Sequence, residues 1–287
     1  MSELVDLCAR HVDQDLLPGV RVLASTTPTE PMPGLTDPVF ALVARGRKRT
    51  VLNDKIFEYG AGEYLVCSVE LPLIAHVTEA PYLVFGMTLK PTVIAGLLLA
   101  TATDRDRADV PGVAVSRATD DLLDPVVRLL RLLDRPRDLP VLAEAIEREI
   151  HWRLITGEQG AMVRQIGLAD SRLAQIGRAL RWIREHYADL FRIEDAARVA
   201  GMSVTSFHRH FRAVTAMSPL QYQKQIRLQE ARARLIAAPH DVAAVGFEVG
   251  YESASQFSRE YRRVFGLPPG QDAARLHAVP EAERVTV

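Results

Sequence analysis

Two glycines constrain this chain most. Gly201 follows the short apolar segment IEDAARVA (193–200), and Gly250 closes VAAVGFEVG (242–250). Each is followed three residues or fewer later by a serine, Ser203 or Ser253, and then by a longer amphipathic stretch. Glycine takes a positive φ without steric cost and closes one helix, and serine caps the next with its hydroxyl. In the first stretch, about 204–214, Phe207, Phe211 and Val214 share one helical face, while Thr205, His208, Arg209 and Arg212 share the other. In the second, about 254–265, Phe257, Tyr261 and Val264 point inward and leave Ser255, Gln256, Ser258, Arg259 and Arg262 outward. A helix at 172–187 precedes the first unit, with Ile176, Leu180, Ile183 and Tyr187 at helical spacing.

The two turns lie 49 residues apart and are joined by a single long helix. Ser218-Pro219 starts it, with serine as cap and proline at the first helical position. It runs to about Ala237 with Leu228, Ala231 and Leu235 on one face; Pro239 breaks it, and Asp241 caps the next short helix. About 19 residues at 1.5 Å each make a rod of about 28 Å. One turn of DNA is about 34 Å, so the rod is of the scale needed to place two helices in successive major grooves. Short helix, glycine turn and second helix with a polar outer face form the helix-turn-helix pattern. Charge agrees: residues 1–171 carry 18 Lys and Arg against 24 Asp and Glu, whereas residues 172–276 carry 16 against 10. Only the second module is basic enough to attract a polyanion.

The stretches AARVAGMSVTSFHRHFRAVTAMSPLQYQKQIRLQEAR and VGYESASQFSREYRRVFG resemble the DNA-binding domain of the AraC/XylS family of bacterial regulators, over about 172–276. The resemblance implies one unit spanning two adjacent grooves of double-stranded promoter DNA. Thr205, His208 and Arg209, then Ser255, Gln256, Ser258 and Arg259, would face base edges. Arg209 and Arg259 suit guanine, because the guanidinium fork bonds O6 and N7 together. Arg212, Arg262 and Arg263 suit phosphate. Gln256, three residues after Ser253, equally suits a capping box. Ala254 departs from the family, which often places a longer side chain there. His208 and His210, two apart on a helix, diverge and make no metal pair.

Residues 20–95 read as short strands separated by turns. FALVARG, RTVLN, KIFEY and YLVCSV follow one another, with Asn53-Asp54 and Gly60 to Gly62 as hairpin connections. The expected fold class is α+β: an antiparallel barrel or jelly roll with a helical segment, followed by an all-α tandem helix-turn-helix domain. The stretch PVFALVARGRKRTVLNDKIFEYGAGEYLVCSVELPLIAHV also resembles the cupin-like N-terminal domain of one AraC branch. That resemblance implies a small-molecule effector in the barrel. One histidine, His76, near Glu58, Glu63 and Glu70 does not make a metal site, so no metal or other cofactor is expected. Cys67 reads either as a buried small hydrophobe, sharing a face with Leu65 and Val69, or as an effector-sensing thiol open to the lumen.

Two helices are expected over 120–156, broken at Arg135-Pro136. Leu139, Leu142, Ile146, Ile150 and Leu154 line the second, serving either a homodimer or packing against the barrel. The domains expected are 1–156 for effector binding and dimerisation (barrel about 20–95), a linker over 157–171, the DNA-binding module over 172–276 and a tail over 277–287. No apolar run is long enough for a membrane span, the N-terminus lacks the features of a secretory signal, and two cysteines suit a reduced compartment. A cytoplasmic activator that contacts RNA polymerase is the expectation. No nucleophile elbow, metal-ligand pair or phosphate-binding glycine loop points to an enzyme.

Overall fold

The computed structural model describes residues 1–12, 17–101, 109–237 and 242–277. The expected helix break at Pro239, the cap at Asp241 and residues 278–287 of the tail lie outside them. The chain begins with helix α1 (Ser2–Arg10) and strands β1 (Val20–Ser25), β2 (Met32–Thr36), β3 (Val39–Leu52), β4 (Lys55–Gly60), β5 (Glu63–Cys67) and β6 (Leu71–Thr88). Helix α2 (Pro91–Thr101), strand β7 (Val113–Arg117) and helices α3 (Asp120–Leu133), α4 (Leu139–Thr156) and α5 (Gly160–Gly167) follow. The remainder is helical: α6 (Arg172–Glu185), α7 (Ile193–Ala200), α8 (Val204–Thr215), α9 (Pro219–Ala237), α10 (Val242–Glu248), α11 (Ala254–Phe265) and α12 (Pro269–His277). This is the expected α+β layout.

The seven strands form one antiparallel sheet rolled around two long strands. β6 pairs with β2 through Leu71–Ala75, with β1 through Tyr82–Met87, and with β3 along most of its length. β3 pairs with β5 at its start and with β4 at its end. FALVARG and RTVLN are therefore one strand, where sequence periodicity suggested two. Gly46 marks the reason. It sits at φ +78 amid the β3–β6 register shifts and acts as a bulge, bending the strand without ending it. Asn53-Asp54 does make the tight β3–β4 turn, with Asn53 at φ 54. The Gly60–Gly62 connection does not join a hairpin, because β4 and β5 follow each other end to end along β3, pairing with its residues 47–52 and 39–42, and do not pair with each other.

The helical segment has its expected extent, and most of its apolar surface is covered within the chain. Leu122, Val126, Leu129 and Leu130 of α3 and Ile150, Leu154 and Ile155 of α4 are buried. Val141 and Leu142 remain exposed. Within α4, His151 is fully buried and neutral in form: Nδ1 meets the Glu147 carbonyl, Nε2 accepts from the Lys90 amide, and burial lowers its pKa. The region expected as a linker contains α5, which is part of the folded body. Gly167 packs so closely on α2 that a Cβ there would lie 2.7 Å from the Ala95 amide nitrogen.

One hydrophobic core runs from the sheet through α3–α5 and into α6–α8 and the first half of α9, ending at Ile226. A second, smaller core begins at Leu228 and takes in Leu235, Val245, Val249, Phe257 and Tyr261. The boundary between cores thus falls inside α9, not near residue 171.

The sheet interior holds an unpaired charge. Lys48 on β3 is 5% exposed and, among the described residues, has no hydrogen-bond or ion-pair partner. Burial pushes its ammonium down from 10.5 to about 8. Two predictions follow from the sheet. In Gly46→Ala, the added methyl would meet the Glu79 and Pro81 carbonyl oxygens at 2.4 and 2.7 Å, at a φ that disfavours side chains. It should destabilise the chain by at least about 2 kcal/mol in chemical denaturation. For Lys48, the unfolded chain keeps its proton to about pH 10.5 while the folded chain releases it near pH 8. The unfolded state therefore binds more protons between those values, and the penalty fades as pH rises. Lys48→Met should be more stable than wild type by about 3 kcal/mol below pH 8. The difference should vanish by about pH 10.5, as read from denaturation midpoints across that range.

Candidate nucleic-acid interface

Both turn units form as the caps predict. Gly201 ends α7 at φ 68, with its amide bonded to the Arg198 carbonyl and the Met202 amide to Ala197. The Ser203 hydroxyl accepts from the Ser206 amide and starts α8. Gly250 repeats the device at φ 91, and Ser253 accepts from the Gln256 amide at the start of α11. Gly250 has no substitute: a Cβ would lie 2.4 Å from the Ala188 carbonyl oxygen.

Thr205, His208, Arg209 and Arg212 are exposed along α8, opposite the buried Phe207 and Phe211. Ser255, Arg259, Arg262 and Arg263 are exposed along α11, while Gln256 and Ser258 are half-buried. Among the described residues, Arg212, Arg262 and Arg263 have no ion-pair partner. Arg209 donates to the ring of His210 at 3.2 Å, and Arg259 donates back to the Ser255 carbonyl at 3.3 Å. Gln256 is otherwise engaged. Its amide nitrogen donates to Glu260 at 3.3 Å, so its side chain does not return to close a capping box. The complete box lies at the start of α9, where the Ser218 amide donates to Gln221 and the Gln221 amide to Ser218.

Three polar clusters hold the two units together, and periodicity did not single them out. Arg227, in the middle of α9, donates to the carbonyls of Tyr187 (2.6 Å) and Asp189 (2.9 Å) beyond the end of α6, and to Gly250 (2.7 Å) in the second turn. Burial lowers its pKa, yet a guanidinium stays charged at neutral pH. Gln223 adds bonds to the Tyr187 and Asp189 carbonyls. Glu260 on α11 gathers Lys224 of α9 at 2.8 Å, Tyr251 at 2.9 Å and Gln256. Burial alone would raise the Glu260 carboxyl, but these three donors outweigh it and hold the carboxyl below its ordinary value. Asp272 on α12, fully buried, accepts from Arg232 of α9 at 2.8 Å and from Tyr261 of α11 at 3.0 Å. A single acidic residue after Pro268-Pro269 carried no sequence signal of this role.

The first unit also docks on the rolled sheet. The Gly112 amide bonds to the Val214 carbonyl near the end of α8 at 2.9 Å, and Asn53 donates to the Ala216 carbonyl at 3.1 Å. Asp109 accepts from Arg172 at 3.0 Å, and Nδ1 of the buried His210 lies 2.8 Å from the same oxygen, at ion-pair distance but off the line of a hydrogen bond. Burial pushes the Asp109 carboxyl up; Arg172 and His210 more than offset it. Glu70 takes Arg184 of α6 at 2.7 Å, and its backbone carbonyl takes the Tyr222 hydroxyl.

The residues weighed as a metal set do not converge. Glu58 pairs with Arg49 beside His76 on the outer face of the sheet, Glu63 bonds the Gly60 amide, and Glu70 faces α6. Cys67 is fully buried, its thiol donates to the Val69 carbonyl at 3.1 Å, and burial pushes it up to about 12. A sensor thiol needs thiolate character and access. Cys67 has neither, so the geometry favours the buried small hydrophobe.

Comparison with known proteins agrees with this architecture. Residues 16–162, just over half of the chain, match the AraC-type transcriptional regulator N-terminus, and residues 196–275 match a helix-turn-helix domain. The chain belongs to the AraC family of transcriptional regulators. The HTH-type transcriptional activator RhaS of Salmonella schwarzengrund is 26% identical over 164 residues, which is 55% of this chain and 58% of that protein. RhaS of Salmonella arizonae is 25% identical over 167 residues, 58% and 59% of the two chains. The match therefore spans under two thirds of these curated relatives. Among solved structures, ToxT of Vibrio cholerae shares the fold. Its apo K231A form has a TM-score of 0.56 at 9% identity, covering 91% of this chain and 99% of that one. Its form bound to an unsaturated fatty acid has a TM-score of 0.57 at 11% identity, covering 92% and 96%.

Arg227→Met keeps the side chain's bulk and removes its hydrogen bonds to the Tyr187, Asp189 and Gly250 carbonyls. Each lost bond to a charged donor is worth about 1.5–3 kcal/mol before relaxation. We expect a thermal midpoint several degrees lower. We also expect a larger affinity loss on DNA carrying two adjacent groove sites than on DNA carrying one, measured by fluorescence anisotropy.

Proposed function

We propose that this AraC-family chain binds promoter DNA sequence-specifically and regulates transcription, with α8 and α11 each reading one of two successive major grooves. The observation that carries this reading is the pair of capped helices with exposed polar faces, locked to one rod by Arg227. Thr205, His208 and Arg209 on α8, and Ser255, Ser258 and Arg259 on α11, face base edges; Arg212, Arg262 and Arg263 hold phosphates. Gln256 joins the readers only by leaving Glu260, so it contributes least among them.

The rolled sheet is the effector domain in this reading; the Asp109 and Gly112 contacts are its route to α8, and Glu70 ties it to α6 and α9. An effector that moves the 109–112 segment changes how the first unit sits relative to the second, which has its own core. A cytoplasmic homodimer contacting two such sites, using exposed Val141 and Leu142 of α4, and a contact with RNA polymerase complete the proposal. No enzymatic step is part of it. Sedimentation of the full chain at micromolar concentration tests the dimer; a monomer there removes it.

A salt titration on selected and random DNA tests the core claim. A specificity ratio of about a thousand or more supports it, and a ratio near one reduces the protein to a non-specific binder. Arg209→Ala should cost about 1–3 kcal/mol on the selected site and relax preference at one base pair. Arg212→Ala should weaken all sequences alike and reduce the salt slope by about one. The reverse outcome would exchange the two roles.

A further inference from the structure

The effector reading leaves the chemistry of the effector open, and the sheet interior narrows it. Lys48, Thr50, Tyr59 and Tyr82 line one internal cavity, together with Leu65 and Leu73. It is small, about 20 Å3, which is room for about one water. The polar atoms around it are unevenly satisfied. Tyr59 and Thr50 hydroxyls bond each other at 3.0 Å. The Tyr82 hydroxyl is buried with no hydrogen-bond partner, and Lys48 has neither an ion-pair nor a hydrogen-bond partner among the described residues.

A buried ammonium without a counter-charge is costly and is normally neutralised or paired. Among the described residues, no carboxylate lines this cavity. Two orphaned donors, one positively charged, thus face a common space walled on its other sides by apolar atoms. That donor set matches a planar, singly charged acceptor with a short apolar body. It suits a dianion poorly, since a phosphate would bring a second charge with nothing to meet it. The small volume adds a size limit: the space holds about one water, so the head group itself enters only by displacing that volume and moving the lining side chains, and each further carbon must push Leu65, Leu73 or their neighbours further apart.

We infer that the effector domain binds a short-chain organic monocarboxylate, with its carboxylate held by Lys48 Nζ and the Tyr82 hydroxyl and its hydrocarbon end against Leu65 and Leu73. This inference rests on the effector-domain role proposed above and adds the ligand class. The side chain positions itself: Lys48 pairs in register with Tyr59 on β4 and Val77 on β6, in phase with inward Thr50 and Leu52. A ligand that neutralises Lys48 relieves the burial that draws its proton off near pH 8, so binding should stabilise the folded chain directly.

The test is thermal unfolding of the full chain at pH 7 and constant ionic strength with acetate, propionate, butyrate, octanoate, their neutral amides, and inorganic phosphate. The short acids should raise the midpoint by about 2–4 °C near saturation, whereas the amides, phosphate and octanoate should not. Lys48→Met should abolish the shift. Tyr82→Phe, which loses only an unpaired hydroxyl, should weaken the acid titration roughly tenfold. Equal shifts with the amides, or a shift that survives Lys48→Met, overturn the inference. So does propionaldehyde with cyanoborohydride adding mass at Lys48 while the acids do nothing, since the lysine would then be a carbonyl trap. The DNA titration needs no acid, so a specificity ratio near one defeats the regulator reading without touching this result. Normal specificity with no acid effect defeats only the ligand class.

Discussion

Arg227 is the constraint on which the arrangement of the two helix-turn-helix units depends. A helical rod sets the separation of the two units, but how each packs against it is left to tertiary contacts. Arg227 supplies one that reaches both, because one planar guanidinium is bonded at once to the chain beyond α6 and to the turn before α11. The acceptors are carbonyls that a helix end and a tight turn leave without helical partners. The cation thereby stabilises both ends and removes freedom between them. Asp272 does the same at the far side, drawing α9, α11 and α12 onto one buried carboxylate.

The division of the core gives this rod a second meaning. Up to Ile226 its apolar face belongs to the same core as the rolled sheet; from Leu228 it belongs to the second unit. A displacement in the sheet domain reaches α8 through packed side chains and through the 109–112 segment. It reaches α11 along α9, through its polar locks and through Tyr187, which packs on both cores. In the function proposed above, coupling between an effector and DNA reduces to the angle between two units sharing one helix. That angle is held by hydrogen bonds worth a few kcal/mol, which is the scale of an ordinary allosteric coupling.

The sheet interior works against stability. A lone buried ammonium and an unbonded phenol are tolerated where long strands, pinned at Gly46 and packed by Phe40, Tyr64 and Phe85, over-determine the backbone. The signal for Lys48 was present in the sequence. It stands in phase with Thr50 and Leu52, the inward positions of a strand, where a lysine is out of place. What obscured it was the glycine at 46, which reads as the end of a strand and is in fact a bend within one.

The sequence by itself determined whatever depends on neighbours a few residues apart. Gly201, Ser203, Gly250, Ser253 and the Asn53-Asp54 turn act through backbone torsion and local hydrogen bonds, and the two-faced periodicity of α8 and α11 separates core from exposed side chains. Tertiary structure alone decided the rest. Strand β7, the docking of α5, the burial of Cys67, and the roles of Arg227, Asp272 and Asp109 all depend on partners tens of residues away. The 172–276 module reads as independent because its helices carry their own apolar stripes. Packing overrides that, since α6 and α8 bury those stripes against both α9 and the sheet, and a stripe does not encode which surface will cover it.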